Sequence, residues 1–170
     1  QIIVDKVTIP AGDAQLFTFN PSWSADDFQL ADATAPHNSG TLVPGTYNVS
    51  EAVPAGWDLT SATCSDGSPI TAITLGAGET VTCTFTNEKD AYIIVDKVTN
   101  PSGDPQSFAF TTTGAGYAGF SLTDAAAPNN SGDLAPGTYS VSETAVAGWD
   151  LTSATCTSTQ DGDTSTPGNI

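Results

Sequence analysis

Positive charge is almost absent from this sequence. Its 170 residues include 19 aspartates and glutamates but only three lysines and no arginine, for a formal net charge of −16. A surface with this balance repels phosphate backbones and anionic lipid headgroups. The composition therefore argues against nucleic acids and membrane surfaces as partners.

Long apolar runs and helical periodicity are also missing. No run approaches the roughly 20 apolar residues that a membrane-spanning helix needs, so we expect no membrane insertion in this segment. Apolar and polar residues instead alternate in stretches such as "YNVSE" (47–51) and "VTCTFTN" (81–87), and Pro-Gly, Ser-Gly and Asp-Gly pairs separate such stretches. Period-two alternation with regular turns predicts an all-β fold of short strands.

The chain repeats itself. "IIVDKVT" occurs at Ile2–Thr8 and at Ile93–Thr99, and "AGWDLTSATC" occurs at Ala55–Cys64 and at Ala147–Cys156. We therefore predict two tandem β-sandwich modules, residues 1–89 and 90–170, with almost no linker between them.

The second repeat has no counterpart of the segment Glu79–Asp90, so we expect the second module to lack its last strand. This accounts for the odd number of cysteines, because Cys64 is expected to pair with Cys83 while the partner of Cys156 falls outside the sequence. The simpler interpretation is a window from a longer array. The alternative is that a strand from another copy completes the module.

Three polar residues share strand faces with apolar neighbours: Lys6, Glu51 and Asn87. An unpaired charge buried there costs several kcal/mol, roughly, so the three groups are expected to meet or to reach water. One interpretation is a Lys6–Glu51 ion pair with Asn87 beside it. The other is covalent: burial makes the lysine a neutral nucleophile and the glutamate a proton carrier, and a Lys6–Asn87 isopeptide bond forms with loss of ammonia.

These segments resemble the collagen-adhesin B-type and SpaA-like modules of bacterial surface proteins and pilins. The residues that carry the resemblance are "IIVDKVT", "LVPGTYNVSEAVPAGWDLT" and "VTCTFTN". The resemblance implies an Ig-like, prealbumin-like sandwich and an autocatalytic isopeptide bond in which Lys6, Glu51 and Asn87 match the lysine, glutamate and asparagine. Lys97 and Glu143 match two of these positions in the second module.

The resemblance also implies the function that we expect, an extracellular or cell-surface structural protein. It would be a stalk or filament subunit whose partners are other copies of itself, with a disulfide and the isopeptide bond as internal cross-links. The alternative is an adhesin that binds a glycan or matrix protein through its end loops, with Trp23 as the candidate contact. We predict no enzyme activity beyond the self-reaction. His37, the single histidine, is expected in a solvated turn, so no hydrolase triad is expected.

Other candidate sites are weaker. Asp66, Asp161 and Asp163 lie in Asp-rich loops that can hold calcium, but neither loop has the ligand spacing of a calcium loop, so turn chemistry is the stronger interpretation and no cofactor is expected. Asn48 and Asn129 each begin an Asn-x-Ser glycosylation pattern. Trp57 and Trp149 occupy identical contexts, which favours a packing role.

Overall fold

The computed structural model describes residues 1–158. These residues form strands joined by turns and loops and contain no helix, so the predicted all-β class is confirmed. The chain divides into two compact units, Gln1–Asp90 (unit 1) and Ala91–Ile170 (unit 2). Among residues 1–158 there is no helix long and apolar enough to cross a membrane.

Unit 1 contains nine strands, and the two longest inward-facing ones follow the period-two pattern of the sequence. In β1 and β9 nearly every second side chain is buried, as alternation predicts. The strands are β1 (Ile2–Ile9), β2 (Phe17–Pro21), β3 (Phe28–Leu30), β4 (His37–Asn38), β5 (Gly45–Tyr47), β6 (Val49–Ala52), β7 (Trp57–Cys64), β8 (Ile73–Leu75) and β9 (Val81–Lys89).

These strands form a four-stranded sheet in the order β4-β1-β9-β7, a three-stranded sheet β3-β2-β6 and a pair β5-β8. The first and last strands of the unit are neighbours and run parallel, with Ile2 opposite Val81 at one end and Ile9 opposite Glu88 at the other. The other strand pairs are antiparallel. The first and last strands of the unit are thus held side by side in one sheet.

One apolar core joins the three sheets. Phe19 of β2 packs edge-on against Phe85 of β9, with ring centroids 5.1 Å apart. Side chains of all three sheets therefore meet in a single interior, which is the arrangement of a sandwich. The buried members are Ile2, Val4, Phe17, Phe19, Leu30, Val49, Trp57, Cys64, Ile73, Leu75, Val81, Cys83 and Phe85.

Unit 2 repeats the beginning of this plan. Its strands are β10 (Ile94–Val95), β11 (Phe108–Thr113), β12 (Phe120–Leu122), β13 (Asn129–Asn130) and β14 (Ser140–Glu143). β10 pairs with β13, and β11 lies between β12 and β14. By sequence these strands correspond to β1, β2, β3, β4 and β6 of unit 1.

An aspartate clasps the first loop in both units. In unit 1, Asp32 Oδ2 accepts a hydrogen bond from the Gly12 amide and lies 3.0 Å from the Thr8 hydroxyl. In unit 2, Asp124 accepts from the Thr99 amide at 3.0 Å and from the Gly103 amide. In each unit the clasp holds the residues that follow the lysine, at the end of β1 in unit 1 and after β10 in unit 2.

Candidate functional site: a buried lysine, glutamate and asparagine

The three polar residues singled out in the sequence of unit 1 meet in its interior. On β1 and β9, alternation turns Lys6 and Asn87 inward with their apolar neighbours. Lys6 lies opposite Phe85 and Thr8 lies opposite Asn87, so the lysine reaches Asn87 diagonally across the parallel pair. Glu51 comes from β6, in a different sheet.

The lysine amine is surrounded by oxygen atoms. Lys6 Nζ donates to Asn87 Oδ1 at 2.8 Å and to the Val7 carbonyl at 2.7 Å, with the Phe85 carbonyl farther away at 3.4 Å. Glu51 Oε1 lies 3.8 Å from the same nitrogen. The amine also sits 4.0 Å from the centroid of the Phe17 ring, which favours its cationic form when it is protonated.

Burial shifts the pKa of both ionisable partners toward their neutral forms. The side chains of Lys6 and Glu51 have 0% exposure, and Asn87 is likewise fully buried. Desolvation lowers the pKa of Lys6, against a smaller opposing effect of the Glu51 and Asp32 charges. Desolvation raises the pKa of Glu51, against smaller effects of Asn87 and of the Lys6 charge.

Three buried polar atoms at this site have no hydrogen-bond partner within the described residues: both carboxylate oxygens of Glu51 and Nδ2 of Asn87. The Asn87 side chain opposes the rise in the pKa of Glu51 as a hydrogen-bonding neighbour does, but the contact does not reach the geometry of a full hydrogen bond. Each unsatisfied buried group costs about 1–3 kcal/mol, so such groups are rare in native structures and concentrate where they have a role.

Unit 2 brings together the two corresponding residues. Lys97 Nζ lies 2.9 Å from Glu143 Oε2, and the amine sits 4.1 Å from the centroid of the Phe108 ring. Their side chains are 12% and 13% exposed, in contrast to the complete burial of the pair in unit 1. No carboxamide hydrogen bond to this amine occurs in the described part of unit 2.

A disulfide joins Cys64 of β7 to Cys83 of β9, with their Cα atoms 4.0 Å apart. The two residues lie directly opposite each other in the antiparallel ladder, so the pairing inferred from the repeat joins cross-strand neighbours. Cys156, at the position of Cys64 in the second repeat, is a free, half-buried thiol.

The weaker candidates fall at turns and edges. The Asp66 carboxylate accepts hydrogen bonds from the Ser68 amide at 3.0 Å and from the Ser68 hydroxyl at 2.6 Å, as in an ordinary Asx-turn. Asp161 and Asp163 lie outside the described residues. Asn48 is exposed between β5 and β6, and Asn129 begins the short strand β13. No metal-binding cluster of acidic, histidine or cysteine side chains occurs in residues 1–158.

The ring residues pack inward. Trp57 and Trp149 stack edge-on against Phe17 and Phe108, with centroids 5.2 and 5.3 Å apart. Trp23 packs edge-on against Tyr47 and contacts the core of unit 1.

The expectation of a solvated turn for His37 is wrong. Its ring stacks on Phe28 with centroids 3.6 Å apart, and the residue belongs to β4, opposite Val4 of β1. The sequence comparison of the repeats missed this because Asn129, which replaces the histidine, keeps the strand position without the ring.

Two contributors to the site were not recognised in the sequence. Phe17 forms the wall on which the lysine lies, and Asp32 holds the end of β1 and acts electrostatically on Lys6. The repeat carried a signal for the aspartate, since "LADA" and "LTDA" keep it at Asp32 and Asp124.

Comparison with known proteins agrees with this architecture. A model of the SpaA-type family described as "prealbumin-like fold domain" matches residues 2–89 and again residues 93–169. The chain belongs to this family. The two matches bracket the two repeats, and the family-level resemblance drawn from the lysine, glutamate and asparagine segments is confirmed.

Two solved structures are similar at a distance. The Bacillus anthracis TIE protein is 18% identical with a TM-score of 0.38, and the match covers 90% of this chain and 30% of that one. A streptococcal ancillary pilin is 20% identical with a TM-score of 0.36, and the match covers 99% of this chain and 61% of that one. The present chain thus spans less than two thirds of either protein. No curated protein matches it.

Proposed function

We propose that this chain is a segment of an extracellular stalk or filament, and that a Lys6–Asn87 isopeptide bond ties together the first and last strands of unit 1. Membership of a prealbumin-like, SpaA-type family supports a structural role. The disulfide gives the same unit a second cross-link between β7 and β9. The partners in such an assembly are other modules of the same kind.

The observation that carries the proposal is the identity of the unsatisfied atoms. They are the two oxygens of Glu51 and Nδ2 of Asn87, beside an amine whose pKa is lowered by burial. A simple ion-pair cluster leaves these three atoms unsatisfied. In the isopeptide reaction, Nδ2 of Asn87 leaves as ammonia and the Glu51 carboxyl transfers the proton. Each of the three unsatisfied atoms therefore takes part in the reaction.

The chemistry balances as an exchange of amines on one carbonyl. The neutral Lys6 amine attacks Cγ of Asn87 and forms the new N–C bond, while the Cγ–Nδ2 bond breaks. Glu51 transfers a proton from the attacking nitrogen to Nδ2, which leaves as ammonia, and the carboxyl returns to its starting state. The raised pKa of Glu51 and the lowered pKa of Lys6 both favour the required neutral forms.

The topology explains what the bond contributes. Because β1 and β9 are parallel, tension applied at Gln1 and at Lys89 slides one strand along the other. A covalent link between the two strands blocks this sliding and carries the force directly. The chain between the linked residues, which are 81 positions apart in the sequence, is then protected from extension.

Single-molecule pulling on the full chain from its two ends tests this role. In a Glu51→Gln variant no isopeptide bond forms, so unit 1 unfolds and lengthens by roughly 220 Å. This extension excludes the loop between Cys64 and Cys83, which the intact disulfide keeps closed. In the native chain this step is absent. A native chain that shows the same step as the variant contradicts the proposal.

The alternative of a glycan- or matrix-binding adhesin receives less support. Trp23, the residue offered as a surface contact, packs against Tyr47 and the core of unit 1. A Trp23→Ala variant should therefore lose stability in unit 1. If this variant kept its stability and lost binding to an arrayed glycan or matrix protein, the adhesin would become the better proposal.

A further inference from the structure

The Lys6 amine is hydrogen-bonded as a cation. Its nitrogen lies 2.7 Å from the Val7 carbonyl oxygen, 2.8 Å from Asn87 Oδ1 and 3.4 Å from the Phe85 carbonyl oxygen. An ammonium group has three N–H donors and no acceptor, so a set of three oxygens matches it. A neutral amine has two donors, and its lone pair has to point at Cγ of Asn87 before it can attack. The observed contacts are therefore those of a charged, resting lysine.

The amine is directed along β1 toward Thr8. It contacts the Val7 carbonyl, and its side-chain partner Asn87 lies opposite Thr8 in the parallel strand pair. Thr8 is itself buried, on the same face of β1 as the lysine, and its hydroxyl lies 3.0 Å from Asp32 Oδ2. The amine and the Asp32 carboxylate thus approach Thr8 from two sides.

Two carboxylates act on this cation, from two different parts of the unit. Glu51 of β6 lies 3.8 Å from the amine, and Asp32 comes from the loop that follows β3. The side chains that contact the amine from β2 and β9, Phe17 and Asn87, carry no charge. Asp5, next to the lysine on β1, is turned to the opposite face by alternation. Asp32 is therefore the second charge at this site, besides the glutamate.

The charge of Asp32 does not depend on the lysine. The Gly12 amide and the Thr8 hydroxyl bond to its carboxylate, and these hydrogen bonds, foremost that of Gly12, lower the pKa of Asp32. The Lys6 charge adds a smaller effect in the same direction. Conversely, desolvation lowers the pKa of Lys6, and the charges of Glu51 and Asp32 oppose that effect. The loop thus holds a permanent negative charge where it favours the ammonium form.

We propose that Asp32 is a positioning residue that slows the cross-linking reaction, because its carboxylate stabilises Lys6 as a resting ammonium ion on the three oxygens. The reaction begins when one proton of the ammonium ion passes to the Glu51 carboxylate, which leaves a neutral amine beside Cγ of Asn87 and a protonated Glu51. Asp32 takes up no proton and forms no bond in this step. The inference rests on the proposed Lys6–Asn87 reaction for its consequence, whereas the effect of Asp32 on Lys6 is measurable without that reaction.

The first test titrates Lys6 in a full chain that cannot cross-link. Asn87→Ala removes the carboxamide carbon that the lysine would attack, so Lys6 stays a free amine. The sequence has only three lysines, so lysine isotopically labelled at Cε gives three NMR signals, which Lys89→Arg and Lys97→Arg variants assign. Adding Asp32→Asn should move the titration midpoint of Lys6 to lower pH, because the ammonium form loses a stabilising charge. An unchanged or higher midpoint overturns the proposal.

Two control variants separate this charge from other effects of the loop. Asp13→Asn removes a carboxylate of the same loop that is bonded to Lys89 at 2.9 Å, and it should leave the Lys6 midpoint in place. Thr8→Val removes a hydrogen bond of the clasp and keeps the Asp32 charge, so it should move the midpoint much less than Asp32→Asn does. If either control lowers the midpoint as far as Asp32→Asn, the effect is not that of the Asp32 charge and the proposal is wrong.

A reciprocal measurement keeps Asp32 in place, in case its replacement prevents folding. Coupling between two charges is mutual, so Lys6→Met in the Asn87→Ala chain should raise the pH at which the Asp32 carboxyl titrates, followed by NMR of its Cγ. An unchanged Asp32 titration in this chain contradicts the proposal.

The consequence for the reaction is measured in chains that keep Asn87. Refolded from inclusion bodies over a range of pH and digested with trypsin, the Asp32→Asn chain should cross-link at least about twofold faster than the native chain, with the acid side of its pH–rate profile at lower pH. A slower reaction with the profile unmoved would show that Asp32 acts only as a structural clasp, and would overturn the proposal. If the native chain formed no cross-link at any pH, the proposed function would fail, while the two titrations would still decide whether Asp32 stabilises the charged lysine.

Discussion

Lys6 Nζ lies 2.8 Å from Asn87 Oδ1, although 81 positions separate the two residues in the sequence. They belong to the first and last strands of unit 1, which are parallel neighbours in one sheet. Glu51 approaches the same amine from β6, in a different sheet, at 3.8 Å. The three groups therefore meet where the first and last strands of the unit run side by side.

A trypsin digest reports the state of Lys6 directly. Lysine is the only trypsin site in this sequence, and a lysine in an isopeptide bond is not cleaved. The denatured native chain should therefore keep residues 1–89 as one fragment, whereas the Glu51→Gln chain should release the short peptide Gln1–Lys6. Glu143→Gln in unit 2 is the matched control and should leave the native fragment pattern unchanged.

The rate of bond formation should have a bell-shaped dependence on pH. The reaction needs a neutral Lys6, whose pKa is lowered by burial, and a protonated Glu51, whose pKa is raised by burial. We expect a maximum between the ordinary values for the two groups, about 4.3 and 10.4, with slower reaction on either side. Chain refolded from inclusion bodies at a series of pH values, quenched in denaturant and digested with trypsin, measures the rate.

A rate that rises steadily with pH and shows no decline at high pH would mean that Glu51 has no part in proton transfer. The Glu51→Gln chain, refolded in the same series, sets the background.

Removal of the disulfide should destabilise unit 1 by about 3 kcal/mol, the chain-entropy value for a loop of this size. The comparison is best made in the Glu51→Gln chain, where unfolding of unit 1 is not limited by the isopeptide bond. Cys64→Ala with Cys83→Ala should lower its free energy of unfolding in denaturant titrations. Cys156→Ser, which breaks no disulfide, should leave unit 1 unchanged; an equal loss in this control would refute the assignment.

Much of this arrangement follows from the sequence, and the reasons are local. Alternation fixes the faces of β1 and β9, so Lys6 and Asn87 were expected among core residues. The repeat identifies two modules and the partner of Cys64. Sequence pattern does not fix what packs across the interior, so the Phe17 ring under the amine, the stacking of His37 on Phe28 and the Asp32 clasp were not anticipated.

The Asp32 clasp should make unit 1 sensitive to acid. Hydrogen bonds, foremost from the Gly12 amide, hold the pKa of Asp32 below its ordinary value. A carboxyl with a depressed pKa stabilises the fold above its unfolded-state pKa, and that stability is lost as the pH falls through the folded-state pKa. In the Glu51→Gln chain, Asp32→Asn should reduce the free energy of unfolding at neutral pH.

The same substitution should also flatten the decline of stability between about pH 5 and pH 2. Asp124→Asn, which removes the corresponding clasp of unit 2, is the matched control and should leave unit 1 unaffected. A parallel pH dependence in the native and Asp32→Asn series would show that the clasp does not contribute.

The intact mass of the denatured, reduced chain tests the central claim most directly. Formation of the Lys6–Asn87 bond expels ammonia, so the native chain should be about 17 Da lighter than its sequence requires. Because an N-terminal glutamine such as Gln1 loses the same mass when it cyclises, the Glu51→Gln chain is measured alongside against its own sequence. The account predicts one more ammonia lost from the native chain than from the variant; equal losses from the two chains would contradict it.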